Sequence, residues 1–354
     1  MQVAAASNQR AWLAVAALLF ANALVLAWPA RDAPVAVTAP GRPLRVGLVF
    51  DVGGRGDKSF NDLAYLGVEK ARRELGIIPE YVEPGDGADR ESGIRMFAAR
   101  GFDLVIGVGF IFSDDLYAMA LEYPNVRFAC VDYAKFDARG FVVPPPNMVA
   151  VKFREEEGAF LVGAIAALTS PSKTVGFVGG MDIPLIRKFE AGYRAGATHV
   201  CADCKVLAGY AGTTGDAFKN PQKGKELALA QFGAGASAIF HAAGTTGLGV
   251  FEAAREMDRL GIGVDADQWG EAPGRILTSM TKNDDVALFE VVRELGAGRW
   301  QGGVQNFGLK EHAIDYVYDA HNRALIPDDV RARVEALRQE IILGRLVPPT
   351  EVAP

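Results

Sequence analysis

The chain has 354 residues, 50% of them hydrophobic and 23% charged, enough to bury a large core and to form about two domains. Lysine and arginine together number 37 against 43 aspartates and glutamates, so the formal net charge is -6. Such an acidic surface offers no basic stripe to a phosphate backbone and argues against a nucleic-acid partner.

The first segment reads differently from the rest. Arg10 precedes an apolar run from Ala11 to Trp28, and Pro29 opens a loose Pro/Ala/Arg stretch that ends at Pro43. Residues 1–43 are therefore expected to be an export signal or a membrane anchor followed by a linker. Cleavage after the small residue Ala27 is one reading, and an uncut run of about 18 residues that spans a bilayer is the other. Both place the body of the protein in the periplasm or on the outer face of the cytoplasmic membrane. No cysteine follows the run, so lipid attachment at a new N-terminal cysteine is not expected.

From Arg45 onward, apolar strand-like runs alternate with helical patterns. RVGLVF leads to a helix reaching Leu75, IIPEYVE to a helix from about Asp89, DLVIGVG to a third helix, and RFACVDY and MVAVKF follow. The same rhythm returns after Glu155. A helix EEEGAFLVGAIAAL precedes KTVGFVGG, a helix over 186–197, CKVLAGY, a helix over 221–232, AIFHAAG, a helix over 248–260, IGVDAD and RILTSMTK. Strands separated by helices of this length imply right-handed crossovers and parallel sheets, and the repeat implies two similar α/β lobes. The expected organisation is an N-terminal lobe over 44–154, a C-terminal lobe over 155–280, and a segment over 281–354 that crosses back and ends in a helix and tail.

The junction from Val46 to Asp62, VGLVFDVGGRGDKSFND, is the most informative local feature. A strand ends at Asp51, and a glycine-rich turn delivers Lys58, Ser59, Phe60 and Asn61 to the next helix. In parallel α/β sheets the strand C-termini and helix N-termini converge on one crevice. Asp51 and Asn61 can hydrogen-bond a polar ligand there, and Phe60 offers a flat face to a planar ring. The same residues can equally cap the helix and fill the core, and the segment by itself leaves both readings open. If the two lobes face each other, the strand ends converge. Asp51, the loop over 107–113, Asp132, the turn over 179–182, Phe218, the turn over 244–247, Asp265 and Lys282 then line one cleft.

Three cysteines remain. Cys130 lies in the apolar VRFACVDY and reads as a buried small hydrophobe. Cys201 and Cys204 form a C-x-x-C that suits a disulfide in an oxidising compartment, although a lone pair is a weak signal. Zinc would need two further ligands, and only His199 is near. A redox motif would open a helix after a strand, whereas this pair precedes a strand-like run.

Several long motifs together resemble the basic membrane protein family, the PnrA-like nucleoside-binding lipoproteins that serve ABC transporters. They are DKSFND at 57–62, VKFREEEGAFLVGAIAAL at 151–168, VGFVGGMDIPLIRKFEAGY at 175–193, HAAGTTGLGVFEAA at 241–254, GVDADQW at 263–269 and LTSMTKND at 277–284. The resemblance runs from about Arg45 to about Leu346. It implies a type I periplasmic-binding-protein fold, two Rossmann-like lobes joined by a hinge and closing on a nucleoside, with a permease as partner and no cofactor. Carried over by position, Asp51, Phe60 and Asn61 hold the nucleobase and Asp132 adds a hydrogen bond. Phe218 closes the other side with Phe189 nearby, Gly244 lets backbone approach the ligand, and Asp265 with Lys282 binds ribose hydroxyls. The absence of a lipidated cysteine departs from the family pattern, and Gly53, Gly54, Arg55 and Gly56 lie in a loop that leaves the preferred base open.

Competing classes are weaker. Asp51, Asp57 and Asp62 bring a nucleoside hydrolase to mind, but its D-x-D-x-x-x-D-D calcium loop lacks the second and last carboxylates here, so a hard cation is under-coordinated. Gly244-Thr245-Thr246-Gly247 lacks the G-x-x-x-x-G-K-[ST] phosphate cradle. A sensor that binds the same ligand for a signalling partner is the remaining alternative. No catalytic residue and no metal are expected.

Overall fold

The computed structural model describes residues 42–83 and 90–352. The apolar run from Ala11 to Trp28, its cleavage position and the helix start at Asp89 lie outside the described residues. Among those described, no helix is long and apolar enough to cross a membrane.

The first lobe is built from β1 (Arg45–Val49), α1 (Phe60–Leu75), β2 (Ile78–Val82), α2 (Arg90–Ala99), β3 (Leu104–Val108), α3 (Ser113–Glu122), β4 (Arg127–Val131), a short hairpin of β5 (Phe136–Asp137) and β6 (Gly140–Phe141), and β7 (Met148–Phe153). The second contains α4 (Glu155–Thr169), β8 (Thr174–Met181), α5 (Pro184–Val200), β9 (Lys205–Gly212), α6 (Pro221–Gly233), β10 (Ala238–Ala242), α7 (Gly247–Glu256), β11 (Leu260–Asp265) and β12 (Ile276–Lys282). The chain then continues through α8 (Asp284–Gly296), β13 (Gly303–Phe307), β14 (Ile314–Tyr316) and α9 (Asp328–Ile342).

Each lobe has a six-stranded sheet, ordered β13-β7-β4-β3-β1-β2 in the first and β14-β12-β11-β10-β8-β9 in the second. All pairs in the first sheet are parallel, and in the second only β14 runs antiparallel to its neighbour β12. Strands β3 and β4 are buried along their whole length, which is why β3, and β4 after Arg127, are continuous apolar runs rather than alternating ones. Helix α1 ends where Gly76 adopts a left-handed φ of 68°, a conformation that costs glycine little. Helix α4 is apolar almost all round because it packs between α5, α9 and the second sheet. One continuous apolar core joins its faces to both lobes. Helix α7 stops at Glu256, short of the expected Leu260, because Asp258 turns to a φ of 53° and Leu260 already opens β11.

The chain passes between the lobes after β7, after β12 and after β13. These crossings are tied to one another. The Arg154 N–H donates to the Phe307 carbonyl at 2.7 Å, and the Asn283 N–H to the Ala313 carbonyl at 2.8 Å. Glu157 accepts from Arg154 Nε and from the Leu309 N–H, each at 2.8 Å. Helix α8 packs against α1 of the first lobe, so β12 and α8 straddle the crossing at Lys282 and Asn283.

Candidate functional site

The strand C-termini of both sheets face one cavity. The first lobe contributes Asp51, Phe60, Gly109, Phe110 and Asp132. From the second come Leu185, Ile186, Phe189, Phe218, Ala242, Ala243, Gly244, Val264, Asp265 and Lys282. Its atom-free space is about 500 Å³, part of it open to solvent. Of the residues expected at the site, Asn61 alone does not line it.

The loop before α1 explains the position of Asn61. Its amide oxygen accepts the Asp51 N–H at 2.9 Å, and its amide nitrogen donates to Asp57 at 3.0 Å. The Asp57 carboxylate also accepts the N–H groups of Ser59, Asn61 and Asp62 at 2.8 to 3.2 Å, capping the helix start. Asp62 in turn accepts from the N–H groups of Gly56 and Lys58. The acidic residues of this loop thus spend their oxygens on backbone donors and shape the turn that carries Asp51 and Phe60.

Asp51 follows β1, and one of its oxygens accepts the Val52 N–H at 2.6 Å. The other lies against Gly109, where a φ of 112° and the carboxylate itself leave no room for a Cβ. Burial raises the Asp51 carboxyl to about 7, so near neutral pH it is both a donor and an acceptor.

Asp132 follows β4 and Asp265 ends β11, at matching positions of the two sheets, and both hold left-handed backbones with φ of 59° and 64°. Lys282 ends β12, is 2% exposed, and donates to Asp132 at 2.7 Å across the crossing. Its ammonium also lies 3.9 Å from Asp284, whose carboxyl oxygens have no hydrogen-bond partner. Burial opposes the lysine charge, but the carboxylates of Asp132, Asp284 and Asp265 outweigh it and raise its pKa. Burial raises Asp132 and Asp284 as well, and brings Asp265 up to about 6.

Side chains of Ser59 and Gln268 reach across the lobes at the cavity rim. Ser59 Oγ donates to Asp265 at 2.6 Å, and Gln268 Nε2 donates to the Lys58 carbonyl at 3.3 Å. The amide of Gln268 is aimed by its oxygen, which accepts the Val264 N–H at 2.9 Å and meets His241 Nε2 at 3.0 Å. Sequence reading missed Ser59 and Gln268 as partners, since they bond to residues more than 200 positions away. It also missed Leu185 and Ile186, which carry the spacing of ordinary core positions.

The aromatic groups divide by position. Lys282 Nζ sits 4.4 Å from the centre of the Phe60 ring, and Phe110 meets Phe218 edge-on at 6.4 Å across the cavity. The Phe218 ring rests on Gly180, where any side chain would overlap it. Phe189 is 4% exposed and packs on Phe240, so most of it belongs to the core. Away from the site, Cys201 and Cys204 are joined in a disulfide and Cys130 is buried.

The family profile described as ABC transporter substrate-binding protein PnrA-like matches residues 44–349. The chain belongs to this family. It is 37% identical over 290 residues to an uncharacterized lipoprotein of Pyrococcus horikoshii, covering 78% of this chain and 69% of the relative. It is 33% identical to basic membrane protein A1 of Borrelia garinii, covering 86% and 88%. Among solved structures it resembles an ABC transporter solute-binding protein of Aeropyrum pernix K1, with a TM-score of 0.77, 31% identity, and coverage of 87% and 94%. The fold is accordingly the two-lobed type I solute-binding fold. Membership brings an extracytoplasmic solute-binding role, with a small molecule and a transporter permease as partners.

Proposed function

We propose that the protein captures a nucleoside, preferentially a purine nucleoside, and presents it to the permease of an ABC transporter. The observation that carries this reading is the set of side chains lining the cavity at the strand C-termini. Phe60, Phe110, Phe218 and Asp51 line it together with Asp132, Asp265 and Lys282, and the Lys282 ammonium lies over the Phe60 ring. A nucleoside is neutral, has two π-faces on its base and carries vicinal hydroxyls on its sugar. Aromatic faces, carboxylate acceptors and an ammonium donor are the groups that recognise those features.

In this reading Phe60, Phe110 and Phe218 sandwich the base, with Phe189 behind them. Asp51 bonds a polar edge of the base, and Asn61 holds Asp51 in place through the loop. Gly244 admits the ligand close to backbone, and Asp265 and Lys282, with Asp132, take the ribose hydroxyls. The closing bodies are residues 44–154 and 155–280, with 281–354 threading between them, and an N-terminal export signal or anchor places them outside the cytoplasm. A thermal-shift panel of nucleosides, free bases, sugars and amino acids tests the assignment. Purine nucleosides are expected to raise the melting temperature most, and a sugar or amino acid that does so in their place overturns it.

A further inference from the structure

His241, near the end of β10, is fully buried and does not line the cavity. Its ring is wedged in place, because Phe251 meets it edge-on at 5.0 Å and any Cβ at Gly247 would overlap it. Among the described residues the ring meets one polar partner, the Gln268 amide oxygen at 3.0 Å from Nε2, while Nδ1 has none. Gln268 is buried too and stands, like His241, outside the cavity lining.

The backbone decides how the protons lie. The buried Val264 N–H donates to Gln268 Oε1 at 2.9 Å, so that end of the amide has to be its oxygen. An amide oxygen has no proton to give, and His241 therefore donates to it from Nε2. Burial pushes the imidazole pKa down to about 4, so the ring is neutral and carries one N–H, which leaves Nδ1 with a bare lone pair. The partnerless Nδ1 fits this arrangement, since an unmet buried acceptor is tolerated better than an unmet N–H. The amide nitrogen of Gln268 then faces the Lys58 carbonyl of the first lobe at 3.3 Å. A flipped amide would set donor against donor at Val264 and acceptor against acceptor at Lys58.

The same amide steadies Asp265. The Ala266 N–H donates back to the Val264 carbonyl at 2.8 Å, closing a tight turn centred on Asp265 at a φ of 64°, a conformation that its surroundings must hold. Gln268 grips this turn at Val264, and its own backbone N–H is anchored on Ser279 Oγ at 3.1 Å. Asp265 accepts from Ser59 Oγ, the residue after Lys58, at 2.6 Å. We propose that His241, as its Nε2–H tautomer, is a positioning residue for lobe closure: it locks the Gln268 amide so that one end holds the Asp265 turn and the other docks on Lys58 of the opposite lobe. The inference uses the solute-binding role but no particular solute, so it stands apart from the nucleoside reading.

Two measurements on the whole protein test it. Nitrogen NMR with isotope-labelled histidine reads the tautomer, and the four histidines are few enough for His241→Leu to assign the signal. A protonated Nε2 beside a bare Nδ1 is expected; a protonated Nδ1 or a charged ring overturns the proposal. Small-angle scattering of the protein freed of solute reads closure. His241→Leu and Gln268→Met keep bulk and lose the polar atoms, and both are expected to enlarge the radius of gyration. The double variant should go no further than the larger single effect, because the two residues act as one device. His241→Gln, which can offer an amide N–H near the Nε2 position, should return the radius to the wild-type value. A role in packing alone predicts a lower melting temperature for His241→Leu with an unchanged radius, or no rescue by His241→Gln, and either result overturns the assignment. If His241→Leu does not fold, the wild-type tautomer and the radius of Gln268→Met still decide.

Discussion

Asp132 and Asp265 occupy the same place in the two sheets, each at the C-terminal end of the fourth strand of its lobe and each with a left-handed backbone; Asp132 bonds the Lys282 ammonium at 2.7 Å, and Asp265 acts on it electrostatically. The near-repeat of the two halves therefore delivers a carboxylate from each sheet to the one cavity. Asparagine tolerates the left-handed region as aspartate does, so it isolates the charge from the backbone. Asp132→Asn is expected to keep its fold and to weaken nucleoside binding by about tenfold, the loss of a hydrogen bond to a charged group. Calorimetry checks the affinity and circular dichroism the fold. Unchanged affinity would remove Asp132 from the ligand's contacts.

Lys282 is the counter-charge for buried acids on both sides of the crossing. Lys282→Met leaves Asp132 and Asp284 without it, and the expected loss of stability at pH 8 is about 3–5 kcal/mol. The raised pKa of both acids means that they take up protons readily as the pH falls. The loss should therefore shrink at pH 5. Urea unfolding at the two pH values measures it, and an equal loss at both would show that packing, not charge, is what the lysine supplies.

The Ser59 to Asp265 bond spans the lobes, so its value lies in closure rather than in either lobe alone. Ser59→Ala is expected to cost about 1 kcal/mol or less in unfolding experiments. In small-angle scattering the ligand-free variant should have a larger radius of gyration than the wild type. Identical scattering curves would mean that the bond does not hold the closed arrangement.

Asp51 carries a pH signature. Its folded pKa of about 7 lies above the ordinary carboxylate value, so the folded state binds the proton more tightly than the unfolded chain does. That group therefore lowers stability progressively as pH rises from about 4, the unfolded value, to about 7, and has no further effect above it. Asp51→Asn, which cannot ionise, should flatten this part of the profile and be more stable than the wild type at pH 8. Melting curves from pH 4 to 8 test this, and parallel profiles for the two proteins would place the Asp51 pKa at its ordinary value.

Much of the architecture was legible because burial on both sheet faces leaves an unmistakable record: β3, and β1 and β4 after their opening arginines, are apolar runs, and each is followed at the cleft by a polar residue or glycine. The crossings left less trace. Strand β14 is three residues long and pairs antiparallel with β12, and β13 joins a sheet whose other strands precede it by more than 150 positions, so neither has a local signature. At the site, Asp51, Asp132 and Asp265 stood out as acids at strand ends. Asn61 has the right chemistry and the right place in the sequence, yet the structure spends its amide on the loop. Leu185 and Ile186 line the cavity from the first turn of α5, where an apolar residue facing a ligand has the same spacing as one facing the core.

The most direct test of the central claim is a calorimetric titration of the protein with a purine ribonucleoside, its 2′,3′-dideoxy analogue and the free base. A nucleoside held between the lobes, its base between rings and its hydroxyls on Asp265 and Lys282, predicts one-to-one binding. The ribonucleoside should then be tenfold or more tighter than either comparison ligand. Equal affinities for all three, or no binding of any of them, would contradict it.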